Sequence, residues 1–186
     1  MELSGSQWVS RFPASASTAD LVQPFRASAE RFIAAMRAAG LTVILSATLR
    51  PQRRAFLMHW SWAIARMGQD PATVPSTPGV DIDWVHKKAS GGPDAAASRA
   101  AAEAMVVAYG IVFQPSLTSR HTAGKAVDVT ISWTRDTTIQ DGLGHPVALT
   151  GAPRNGQSNA TLHRVGASYA VLKLVSDAPH WSADGH

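Results

Sequence analysis

The chain has 186 residues, 45% hydrophobic and 16% charged, a balance that suits a globular fold and excludes a disordered polar segment. Its net charge of +4 favours polyanionic surroundings, yet Lys and Arg are scattered, and no basic, aromatic-interleaved segment points to nucleic acid. Zero cysteines exclude disulfides and thiolate metal sites, so any metal here must be held by His and carboxylate.

Residues 1–17 are Ser- and Ala-rich without a sustained period and read as a loosely ordered N-terminal arm. Residues 18–186 then read as a single domain. Asp20 stands where it can cap a helix running to Ala39, with Phe25, Ala29, Phe32, Ile33 and Met36 at helical spacing and Gly40 as its stop. The apolar, β-branched run from Leu41 to Leu45 suggests a buried strand. Pro51 opens a second, aromatic-rich helix that runs through Met67 and ends at Gly68.

Residues 69–93, rich in Pro and Gly, read as a long loop or insertion with a short strand near Val80–Trp84. Asp94 begins an alanine-dense helix to Tyr109, closed by Gly110. The alternation Ala126-Val127-Asp128-Val129-Thr130-Ile131 is that of a half-buried strand. Its valines and Ile131 face a core, and Asp128 and Thr130 face away. Residues 133–158 suit loops and a hairpin, Asn159 caps a short helix, and Tyr169–Val175 reads as a strand. These elements amount to an α+β fold. Its small, mainly antiparallel sheet carries flanking helices and a cleft across the sheet. No window approaches the ~18 uninterrupted apolar residues of a membrane span, and no Sec-type leader is visible.

The stretch Ser119–Asp128 sets an imidazole, His121, and a carboxylate, Asp128, seven residues apart. Fully extended they stand roughly 24 Å apart, so both reach one ion only if the chain doubles back. Gly124 between them accepts the positive φ that such a reversal uses. A zinc site needs a third protein ligand and, for catalysis, an open position. The C-terminal Ser176-Asp177-Ala178-Pro179-His180-Trp181 offers His180 as that ligand and Asp177 as a base able to accept a proton from attacking water. Pro179 stiffens the spacing between the two, and Trp181 is expected to wall the site.

Ser119, His121, Gly124, Ala126 and Asp128 in this order, followed by Asp177, His180 and Trp181, resemble the zinc peptidases of bacterial peptidoglycan. That family includes the D-alanyl-D-alanine carboxypeptidases and dipeptidases and the L-alanyl-D-glutamate endolysins of phages. The resemblance covers roughly residues 41–182 and implies a hedgehog-like fold with one Zn²⁺ held by His121, Asp128 and His180. It also implies Asp177 as catalytic base, Ser119 on the substrate side, and Arg50, in Thr-Leu-Arg-Pro, as the arginine that binds substrate and polarises the scissile carbonyl. Asp at 177, where the carboxypeptidases and dipeptidases use Glu, looks more like the endolysin branch. The gap of about seventy residues between Arg50 and His121 is long for the family.

The resemblance therefore implies hydrolysis of an amide in the peptidoglycan stem, first choice the L-Ala–D-Glu bond, second a D,D-bond. A non-catalytic zinc-containing wall-binding module is the reading of another class. Without a leader, the expected route to the wall is phage lysis or a dedicated secretion system, and the expected state is a monomer with no membrane span. His86 has no partner of known ligand spacing and reads as structural, His59 reads as packed or exposed, His145 and His163 lack motif context, and His186 reads as a disordered terminus. Trp133, near the motifs, reads as a second cleft-lining aromatic.

Overall fold

The computed structural model describes residues 1–186 and has four α-helices and three small sheets, an α+β architecture. The chain forms two compact units. One joins Met1–Pro13 to Pro51–Ser119, the other joins Ala14–Arg50 to Arg120–His186. The single domain read from sequence is thus two bodies, each with its own core.

In the first unit, the strand β1 (Glu2–Leu3) pairs in parallel with a later strand at Ile82–Asp83. Trp8 is 2% exposed and packs with Phe56, Leu57, Ile64, Ile82, Trp84 and Met105. Residues 1–13 are therefore not a loose arm: burial of one tryptophan and two strand bonds tie them down. The helices of this unit span Gln52–Met67 and Ala95–Tyr109. The first follows Pro51 and stops at Gly68 in the left-handed region. The second starts on Asp94, whose carboxylate accepts from Ala97 N–H, and stops at left-handed Gly110.

The second unit carries the site. Its first helix, α1, spans Phe25–Ala38, not from Asp20. Asp20 lies in a separate 3-10 turn, Thr18–Asp20, capped by Ser17. Pro24 explains the late start: a residue before proline is disfavoured in helical geometry, so the helix begins just after it.

Strand β2 (Thr42–Ala47) is an edge strand, and Ile44 is 58% exposed, so the expected buried strand is only half-buried, with Val43 and Leu45 packed against the core from one face. With β3 at Ile82–Asp83, the remaining strands are β4 (Ala126–Ser132), β5 (Thr137–Gln140), β6 (Pro146–Leu149), β7 (Leu172–Lys173) and β8 (His180–Ser182). The main sheet is antiparallel throughout, in the order β2-β4-β8-β7, and β5 and β6 form the expected hairpin. The gap helix between the hairpin and β7 spans Ala160–Ser168 and is capped by Asn159.

The strand expected over Tyr169–Val175 is only two residues long. Tyr169 caps the preceding helix, and Ala170 at φ 60° turns the chain before pairing begins. The core of this unit joins Phe25, Phe32, Met36, Val127, Val129, Ile131, Leu162 and Trp181. Val127, Val129 and Ile131 face it, as their alternation requires, leaving Asp128, Thr130 and Ser132 on the opposite face of the sheet. No helix is long and apolar enough to cross a membrane.

Candidate metal centre

Strand register makes the first contact of the site. Asp128 on β4 lies directly opposite His180 on β8, so both side chains rise from the same face of the sheet. His121 arrives from the turn at residues 120–124, where Gly124 N–H donates to His121 C=O at 3.2 Å and Lys125 N–H to Arg120 C=O at 2.8 Å. Gly124 has φ +66°, and a Cβ there would lie 3.3 Å from Asp20 O and 3.2 Å from Val22 Cγ1. The left-handed turn and the close packing both favour glycine, and the doubling-back expected from sequence is made here.

Three ligand atoms converge. His121 Nε2 stands 3.0 Å from Asp128 Oδ1 and 3.1 Å from His180 Nδ1, and His180 Nδ1 stands 3.2 Å from Asp128 Oδ1. Zinc bonds of about 2.0–2.1 Å at tetrahedral angles separate ligand atoms by about 3.3 Å. The triangle thus has nearly the dimensions of one face of a zinc tetrahedron, and the group can hold a metal ion. His121 and His180 are 5% and 6% exposed, and the Asp128 side chain keeps 21% exposure.

Backbone oxygens hold both rings. His121 Nδ1 donates to Thr48 C=O at 2.8 Å, and His180 Nε2 donates to the backbone oxygen of His186 at 3.1 Å. Carbonyls only accept, so a neutral ring keeps its one proton on that nitrogen and turns the lone pair of His121 Nε2 or His180 Nδ1 toward Asp128, whereas a protonated ring donates from that second nitrogen to the carboxylate. The neutral form is the donor arrangement a divalent zinc takes, with each imidazole oriented by a second hydrogen bond. Thr48 is itself fixed: it is fully buried, and its hydroxyl donates to Ser17 C=O at 2.9 Å and to Ser15 C=O at 3.1 Å.

Charge follows the same geometry. Burial disfavours ionised Asp128, but hydrogen bonds from His121 and His180 and their charges outweigh it, holding its pKa well below the usual carboxylate range. Burial likewise opposes charge on His180. Its hydrogen bonds to Asp128 and His186 and the charges of Asp128 and Asp177 prevail and push its pKa up.

Asp177 is exposed, in the turn between β7 and β8, and its C=O accepts from His180 N–H at 3.1 Å. Its charge reaches His180 and Lys173. Lys173 braces this turn: its ammonium donates to the carbonyls of Leu174 at 2.6 Å, Asp177, and His180 at 3.1 Å. Burial pulls the Lys173 pKa down, against the charges of Asp177 and Asp128. Neither Lys173 nor the Thr48 carbonyl was legible in the sequence as part of the site, because the Lys173 ammonium bonds to backbone carbonyls and Thr48 acts through its own, and only the fold brings these groups close.

Arg50 is half-buried, and its backbone N–H donates to His121 C=O at 3.2 Å, so the end of the β2 segment is fastened to the ligand turn. Ser119 is the half-buried last residue of the first unit. Trp181 does not wall a cleft. It is 0% exposed, its ring 5.3 Å from Phe32 and 5.5 Å from His163, because strand alternation turns it to the core face while His180 takes the other. Trp133 is also buried, at 7% exposure. His163 Nε2 donates to Gly156 C=O (2.9 Å), His59 Nδ1 donates to Pro115 C=O (2.8 Å), and His86 pairs with Ser4 Oγ (3.0 Å), as residues with structural roles do.

No protein-family model, no curated protein and no solved structure matches the chain.

Proposed function

We propose that the chain is a zinc peptidase that hydrolyses an amide bond in the peptide stem of bacterial peptidoglycan, with the L-Ala–D-Glu bond as first choice and a D,D-bond as second. The observation that carries this reading is the triangle of His121, Asp128 and His180, three protein ligands with their lone pairs aimed at one point. Structural zinc sites are closed by four protein ligands, and catalytic ones keep a position open. A three-ligand set with a carboxylate three residues from one ligand favours catalysis over a purely structural role.

Zinc bound there supplies Lewis acidity, polarising a carbonyl and making water acidic enough to attack near neutral pH. The chain's own groups divide the remaining work. His121, Asp128 and His180 hold the ion, oriented by Thr48, the β4–β8 register and His186. Asp177 accepts the proton of the attacking water and returns it to the leaving amine, the exchange that a carboxylate at the edge of such a site performs. Arg50 steadies the charge that develops on the carbonyl oxygen. The Lys173 brace keeps the Asp177 turn in one geometry through turnover.

Release of new amines from purified peptidoglycan, lost with a chelator and restored by zinc, is the expected outcome. Chelator-insensitive release, or none from zinc-loaded protein, contradicts the reading.

A further inference from the structure

Strand β8 ends at Ser182, and the residues after it curl back over its first one. Ala183 N–H donates to Lys125 C=O at 3.0 Å. Gly185 turns the backbone at φ +81°, its N–H donating to Ser182 Oγ at 2.9 Å. The backbone oxygen of His186 then accepts from His180 Nε2 at 3.1 Å. The acceptor that orients one metal ligand therefore sits on a short segment outside the sheet, and ordering that segment costs conformational entropy that other contacts must offset.

Asp184 supplies the main contact. Its Oδ1 accepts from Arg120 Nε at 3.0 Å and its Oδ2 pairs with Arg120 Nη2, the two-pronged fit of a planar guanidinium on a carboxylate. Oδ1 also faces the Ser182 hydroxyl and the His186 N–H, each at 3.4 Å. Arg120 precedes His121 and opens the ligand turn, where its C=O accepts from Lys125 N–H at 2.8 Å. The contacts close a ring from Arg120 to Lys125, on to Ala183, and through Asp184 back to Arg120. The segment carrying His121 is thereby tied to the segment that orients His180. The two side chains are 42% and 40% exposed, a setting in which an ion pair contributes little to global stability. Its place between two ligand-bearing segments gives it a local use instead.

We propose that Arg120 and Asp184 are positioning residues of the metal centre. Their ion pair holds Ala183–His186 so that the His186 carbonyl stays on His180 Nε2, which keeps His180 Nδ1 turned toward the ion. The proposal rests on the metal centre of the peptidase reading and adds to it how one ligand is kept in orientation. Both residues act through His180, not as ligands themselves.

The test titrates zinc into the full chain against a fluorescent chelator, for wild type, Arg120→Ala, Asp184→Ala and the double variant. Groups that orient a ligand from outside are worth about 10- to 100-fold in metal affinity, so each single variant is expected to bind zinc about tenfold more weakly. The double variant loses no more than either single one, because the pair acts as a unit. Charge acting through space alone gives opposite signs: loss of the Arg120 cation strengthens zinc binding and loss of the Asp184 anion weakens it. A second readout is the ring N–H signals in ¹⁵N NMR spectra of metal-free and zinc-loaded protein. The His180 Nε2–H is expected in wild type and lost to solvent exchange in Asp184→Ala, while the His121 Nδ1–H, held by Thr48, persists in both. Unchanged zinc affinity in the single variants, changes of opposite sign, an additive double variant, or a His180 ring proton that survives in Asp184→Ala overturns the proposal. A lowered melting midpoint with zinc affinity intact also overturns it, as the mark of a merely structural brace. Failure of the peptidase reading shows separately, as wild-type protein that binds zinc and leaves peptidoglycan uncut.

Discussion

Nε2 of His121 and Nδ1 of His180 stand 3.1 Å apart, each on a ring whose other nitrogen donates to a backbone oxygen. Two lone pairs brought this close beside the Asp128 carboxylate repel one another unless a proton or a cation lies between them. A proton serves in the metal-free protein, and in the proposed centre a zinc ion would take its place. His121→Ala removes one corner of the triangle, and the variant is expected to lose zinc at stoichiometric loading and hydrolysis with it. Wild-type protein with no bound metal by elemental analysis, after loading, contradicts the centre itself.

Exchange of proton for zinc makes metal affinity depend on pH. The His180 pKa is raised, so its proton competes with zinc above the ordinary imidazole range, and affinity falls as pH falls through that raised value. For the metal-free protein, His180 contributes stability that is fully present below its unfolded pKa and lost as pH rises through the folded one. Asp128, with a depressed pKa, contributes stability present above its unfolded pKa and lost as pH falls through the folded one. Thermal melts without zinc should therefore peak between about pH 4 and about pH 6.5, and zinc should move the optimum upward. The same optimum with and without zinc would contradict this coupling.

Asp177 is exposed and bonds the fold through its backbone, so replacing its side chain leaves the turn braced by Lys173. Asp177→Ala is expected to retain about one zinc per chain and to lower kcat on peptidoglycan by about 10²-fold or more, the range a general base contributes. Full activity in that variant would remove Asp177 from the mechanism and leave the ligands untouched.

The core beneath the site can be tested independently of chemistry. Gly166, in the helix Ala160–Ser168, packs so closely that an added Cβ would lie 2.6 Å from Trp181 Cζ3 and 2.8 Å from Val171 O. Gly166→Ala should cost about 1–3 kcal/mol by overpacking and lower the melting midpoint accordingly. An unchanged midpoint would show that Trp181 does not pack as described.

Much of this was legible residue by residue. His121, Gly124 and Asp128 sit in one short stretch, so local turn chemistry and strand alternation place them relative to one another, and the turn and β4 form as expected. β8 was not legible: its three residues, His180–Ser182, are buried on both faces and so carry no alternation. Trp181 was misplaced for the same reason. The two-unit organisation was hidden because no linker-like composition marks residues 50–51 or 119–120, and because Trp8 completes a core from far along the chain. Lys173 acts through three carbonyls of a turn, a contact that no spacing rule encodes.

Mass spectrometry of muropeptides before and after digestion tests the central claim most directly, because activity and bond identity appear together. Zinc-loaded protein is expected to free the glycan-linked L-alanine from the remaining stem by adding one water across the L-Ala–D-Glu amide, and chelator-treated protein to leave the profile unchanged. An unchanged profile from protein carrying one zinc per chain would contradict the account.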